Sequence, residues 1–182
     1  MIRANCRSSF QPADLDFLVS SLQQPLETQP LDELVDRPEV FKSLLERHDC
    51  LNVSPQFYFY VLVRNVLVEA GLKDRDLADY VAGMLTEFSQ QSKLSRVEGS
   101  GEPKYNYVFE LLQALQSASG PRVFFIRAHV GNASLFLTGI FPEHIAHRAL
   151  RCGAPDLDYF ETVGGSSYRT ASSHQLAREL HL

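Results

Sequence analysis

The run Val123–Phe141, VFFIRAHVGNASLFLTGIF, is apolar on nearly every side, yet it carries Arg127, His129, Gly131, Asn132, Ser134 and Thr138. A helix on the surface of a globular protein shows one apolar stripe with charges opposite. Here Phe124, Ile126, Val130, Ala133, Phe136, Leu137 and Ile140 fall on several faces. That is the pattern of a helix with neighbours on most sides. Gly120–Pro121 starts it, because the missing N–H of proline is no loss in a first helical turn. The run also approaches the length of a bilayer span. An Arg near the middle of a bilayer costs at least ~2.5 kcal/mol, and a His and an Asn would add to that. The expectation is therefore a buried helix in a water-soluble bundle, with no membrane partner.

A second stretch repeats the pattern. Ser54 followed by Pro55 is a cap and a first helical position. QFYFYVLVRNVLVEAG then has only Arg64 and Asn65 as polar residues between Phe57 and Val68. The run of apolar residues is too short to span a bilayer, and its cap and Glu69-Ala70-Gly71 stop predict a helix rather than a strand.

Shorter amphipathic segments surround these two. Leu15, Leu18, Val19 and Leu22 keep helical spacing, as do Val40, Phe41, Leu44 and Leu45, and again Leu77, Val81, Met84, Leu85 and Phe88. Asn106 is a possible cap for a helix through Tyr107, Val108, Leu111, Leu112 and Leu115. No strand alternation or internal repeat is present. The fold class predicted is all-α: one domain over residues 1–182, an orthogonal bundle of about eight to ten helices, with central helices at 54–70 and 121–141. Residues 1–11 read as an irregular arm, and 90–104, with two glycines and a proline, as a mobile loop.

Apolar residues make up 45% of the chain and charged residues 21%, the balance of a folded globular protein. The net charge is −5 and the basic residues are scattered, so nucleic acid is not an expected partner. Cys6, Cys50 and Cys152 are odd in number and far apart, which suits reduced thiols in a cytoplasmic protein. MIRANCRSSF lacks the apolar core of a signal peptide.

Four places carry possible chemistry. Arg127, Gly131, Ser134 and Thr138 share one helix face. Either these small residues let another helix approach closely, or the face lines a polar pocket with Tyr159 and Tyr168. His129 and Asn132 belong with that pocket, although a core His bonded to a carbonyl or a Tyr hydroxyl is the plainer reading. Arg64 and Arg127 need partners if buried; Glu69, Glu87, Glu110 and Glu161 are the candidates, and a bound anion is the alternative. Glu143, His144 and His147 could put metal ligands on one face. They lack the H-E-x-x-H order of zincins and equally suit a solvated helix start. No metal, cofactor or catalytic residue is expected. Walker A, G-x-G-x-x-G, G-x-S-x-G and D-D-x-x-D patterns are all missing.

Gly164 and Gly165 interrupt DLDYFETVGGSSYRTAS, but Tyr159, Val163 and Tyr168 keep helical spacing across them. A continuous helix with a tight crossing is expected. Val130–Glu143 (VGNASLFLTGIFPE) and Tyr159–Tyr168 (YFETVGGSSY) together resemble a family of uncharacterised bacterial helical proteins. The resemblance implies a bacterial cytosolic protein in which the two segments pack as a helix–glycine–helix pair. It implies no activity, cofactor or catalytic residue.

Two functions remain open at this level. One is a non-enzymatic module that binds a protein partner or self-associates. The other is a small-ligand binder or enzyme with an inter-helix pocket near Arg127, His129 and Tyr168, drawing on Asn132, Ser134 and Tyr159.

Overall fold

The computed structural model describes residues 2, 4–23, 29–46, 52–90 and 108–179. Among the described residues the protein is all-α, with a 3-10 turn, Cys6–Ser9, followed by ten α-helices and no strand. The helices are α1 (Pro12–Leu22), α2 (Leu31–Val35), α3 (Pro38–Glu46), α4 (Pro55–Glu69) and α5 (Arg75–Phe88), then α6 (Val108–Leu115), α7 (Pro121–Ile140), α8 (Pro142–Cys152), α9 (Leu157–Ser172) and α10 (Gln175–Glu179). Proline opens α1, α3, α4, α7 and α8, each time in the turn whose N–H has no helical partner. The loop expected at 90–104 lies largely outside the described residues, as do the proposed cap Asn106 and Tyr107. The helices group into two compact units, residues 2–87 and 88–182.

In the amino-terminal unit α4 is central. Its Phe57, Tyr60 and Val61 are buried with Phe17 and Leu18 of α1 and with Val40 and Leu44 of α3. Phe10 and Phe17 meet the Phe57 ring edge-on, with centroids 5.2 and 5.9 Å away. The start of α4 is fixed by polar contacts. The Phe57 N–H donates to Ser54 Oγ at 3.1 Å. The fully buried Asp14 of α1 accepts from the Ser54 N–H and hydroxyl, both at 2.7 Å, and from the Gln11 N–H at 2.6 Å. One carboxylate thus closes the first turn of α1 and anchors the first turn of α4. Ser54→Ala removes the cap and one of these bonds. The expected loss is about 1 kcal/mol or slightly more in urea denaturation; no measurable loss would show that α4 does not depend on this cap.

The arm at 1–11 is packed where it is described. Cys6 is buried in the core, and Arg7 enters a chain of ion pairs. Arg7 Nε and Nη1 donate to Asp79 and Asp32 at 2.9 and 2.8 Å. Arg75 reaches Asp32 at 3.0 Å and Asp36 at 2.8 Å. Arg64 binds Asp36 through both oxygens, at 2.8 and 2.9 Å. The partner of Arg64 is therefore none of the four glutamates named from sequence but Asp36, which caps the C-terminal end of α2. Burial pushes the Asp36 carboxyl up, and the hydrogen bonds from Arg64 and Arg75 more than offset it, leaving the group below its ordinary value. Burial and then the Asp79 charge push the Cys6 thiol up to about 12, so it is a core group rather than a nucleophile.

In the carboxy-terminal unit α7 packs against α6, α8, α9 and α10. Its buried residues run from Phe124 to Ser134, whereas Leu135 and Ile140 are exposed. Ile126, Val130 and Ala133 form one cluster with Val108 and Leu111 of α6, and Phe124 another with Ala171 and Ala177. By length and composition α7 is long and apolar enough to cross a membrane, and among the described residues it is the one such helix.

Candidate functional site: an apolar cleft in the carboxy-terminal unit

The face of α7 that carries Arg127, Gly131, Ser134 and Thr138 is closed by α9. A Cβ placed on Gly131 would lie 2.7 Å from the Tyr168 ring, and one on Gly164 would lie 2.7 Å from the Ser134 Cβ. Two helices can approach this closely only where the side chain is a hydrogen atom. α9 runs unbroken through Gly164–Gly165, as the spacing of Tyr159, Val163 and Tyr168 predicts. Of the two readings of this stripe, close helix approach is the one realised, and no room for a ligand remains between Gly131 and Tyr168.

Some polar groups of that face are used internally, whereas the Ser134 hydroxyl is buried with no hydrogen-bond partner among the described residues. The Tyr168 hydroxyl donates to Asn132 Oδ1 at 2.7 Å, and Asn132 is buried. His129 is buried too, its ring edge-on to Phe88 with centroids 5.6 Å apart. Thr138 donates to the Ser134 carbonyl at 3.0 Å. Arg127 reaches the Ser167 hydroxyl at 3.5 Å, a weak contact, and its Nε is buried with no hydrogen-bond partner among the described residues. None of the four glutamates pairs with it among the described residues. Glu143, His144 and His147 are exposed in the first turns of α8. Among the described residues no three His, Cys, Asp or Glu side chains converge as a metal site would need.

A cleft opens on another side of α7. This cleft, of about 750 Å³, is walled by Val108, Phe109, Glu110 and Gln113 of α6, by Leu137 of α7 and the Phe141 that follows it, and by His144, Ile145 and Arg148 of α8. Ala154, Pro155, Tyr159 and Phe160 complete it from the loop before α9 and its first turn. The local sequence explains this wall. Leu137, Phe141 and Ile145 recur every four residues through the α7–α8 junction, and Pro142 lets the chain end one helix and start the next between them. Gly153, in the left-handed conformation at φ 61°, ends α8 and turns the chain into Ala154–Pro155. Asp156 then accepts the Tyr159 N–H at 2.9 Å and starts α9 with Tyr159 and Phe160 against the cleft.

The lining is mostly aliphatic and aromatic, with five polar side chains: Glu110, Gln113, His144, Arg148 and Tyr159. Phe109 is 67% exposed and Phe141 44% exposed, large rings left without a full complement of neighbours. Of the residues singled out from sequence, Glu110, His144 and Tyr159 line the cleft; Arg127, His129, Asn132, Ser134, Tyr168, Glu143 and His147 do not. Phe109, Leu137, Phe141, Ile145, Arg148 and Phe160 carry no sequence signal that separates them from ordinary core or surface residues.

Compared with protein-family models, curated proteins and solved structures, the chain matches none of them.

Proposed function

We propose that this chain acts by binding, and that the cleft between α6, α8 and the start of α9 receives the apolar part of a ligand. The supporting observation is its size and lining. About 750 Å³ is within the range of small-molecule sites, which are mainly apolar with a few placed polar groups. The free thiols at Cys6 and Cys152 suit the reducing cytosol in which we place this activity.

The test is titration of the full chain with N-phenyl-1-naphthylamine, a neutral apolar fluorophore. Saturable enhancement at one site per chain is expected. Phe109→Ala should weaken it about tenfold, the order expected when much of an exposed aromatic contact is lost. Ala154→Phe, which sets a ring into the cleft wall, should weaken it as well. Phe109 is largely exposed and Ala154 lies in the segment between α8 and α9, so circular dichroism should show both variants folded. Enhancement unaffected by either substitution would move the site elsewhere.

A second reading has its own support. Leu150 is 88% exposed and Ile140 50% exposed, outside the cleft lining, and exposed apolar surface of this kind marks protein contacts. Self-association, or a protein partner, would use that surface. A concentration-independent monomer mass in light scattering would argue against the self-association form.

A further inference from the structure

On the binding reading above, we infer that the cleft selects an amphiphile with an anionic head, an alkyl or aryl chain ending in a carboxylate, and that Arg148 holds the head group. Arg148 is the one Lys or Arg among the lining residues. Arg7, Arg64 and Arg75 are each bound to aspartates. Arg148, by contrast, makes no ion pair or side-chain hydrogen bond among the described residues. Its helical neighbours three and four positions away are His144, Ile145, Arg151 and Cys152, so α8 offers it no acid.

His144 lies one turn before Arg148 and also lines the cleft. Its ring can donate a second hydrogen bond to a carboxylate oxygen in either tautomer. The guanidinium fork matches the two oxygens of a carboxylate. The one acid of the lining, Glu110, stands on α6 and already has a partner of its own. The aliphatic and aromatic wall formed by Leu137, Ile145 and Phe160 would take the chain of the amphiphile.

The experiment is calorimetric titration of the full chain with decanoate, decan-1-ol and decylamine, which share a chain and differ in head group. Decanoate should bind about tenfold tighter than decan-1-ol, the step that one charge-assisted contact supplies, and decylamine weakest. Arg148→Gln should bring decanoate to the alcohol's affinity and leave decan-1-ol unchanged. Equal binding of decanoate and decan-1-ol would overturn the anionic head while leaving the cleft a binding site. A preference for decylamine would do the same and point to Glu110. Decanoate selectivity that survives Arg148→Gln would overturn the role of Arg148. Failure of all three to bind would sink the cleft reading itself.

Discussion

Asp36→Asn should destabilise the amino-terminal unit by about 3–5 kcal/mol, the range for removing one partner of a buried ion pair. The Arg64 side chain is only 6% exposed, and Asp36 takes both of its hydrogen bonds. An amide leaves the guanidinium charge uncompensated and, whichever way it turns, sets its N–H₂ group against a guanidinium N–H. A second buried donor, Arg64 Nη1, is already without a partner among the described residues, so there is no slack in the arrangement.

The same carboxylate sets an acid limit. Its value in the folded state lies below the ordinary 3.8, so the stability it contributes is complete above that pH and is lost as pH falls through the lower, folded value. Urea midpoints measured from pH 7 downward should therefore hold nearly level until about pH 4 and then drop. In Asp36→Asn the whole curve should lie lower and the acid drop should be shallower. A variant as stable as the parent at pH 7 would mean that the Arg64–Asp36 pair is not a structural element.

Gly131→Ala and Gly164→Ala are each expected to destabilise the carboxy-terminal unit, against the rule that alanine stabilises helix interiors. Ala gains up to about 1 kcal/mol over Gly in backbone entropy. Overpacking a close contact costs about 1–3 kcal/mol. At position 164 the added methyl meets the Ser134 Cβ at 2.7 Å, an atom fixed to the backbone of α7. At position 131 it meets the Tyr168 ring, which cannot swing aside without giving up the 2.7 Å hydrogen bond to Asn132. The net loss should be about 1–2 kcal/mol at 164 and about 2–3 kcal/mol at 131, where that bond is also strained. Gly165 is the internal control: nothing lies within 4 Å of a Cβ there. Gly165→Ala should stabilise by about 0.5–1 kcal/mol. Equal effects at 164 and 165 would mean that α7 and α9 do not approach this closely.

What sequence could show here was local. Ser54–Pro55 and Gly120–Pro121 mark helix starts because capping and proline geometry depend on adjacent residues. The two apolar helices follow from their own composition. Gly164 was readable as a crossing point because Tyr159, Val163 and Tyr168 keep helical phase on both sides of it.

Partner choice was not readable in this way. Arg64 pairs with Asp36, twenty-eight positions away at the end of a five-residue helix. Nothing in the local pattern distinguishes that aspartate from its neighbours. In α5 Met84 and Phe88 are buried as their spacing suggests, but Leu77 is exposed while Ala78, Asp79 and Ala82 are buried, and Asp79 is bound by Arg7. The cleft escaped for a related reason. Leu137, Phe141 and Ile145 look like core residues in sequence. Whether a neighbour covers them is decided by how α6 and α8 flank α7, which periodicity does not encode. The polar stripe of α7 has residue types that suit a site, yet the same small residues are what close packing requires.

The most direct test of the account is a two-dimensional amide and side-chain NMR titration of the full chain with N-phenyl-1-naphthylamine. Saturating shifts should be largest at Phe109, Leu137, Ile145, Arg148 and Phe160, with Gly131, Asn132, Ser134 and Tyr168 unmoved. Shifts centred on Gly131, Asn132 and Tyr168, or no saturable shift at any residue, would contradict it.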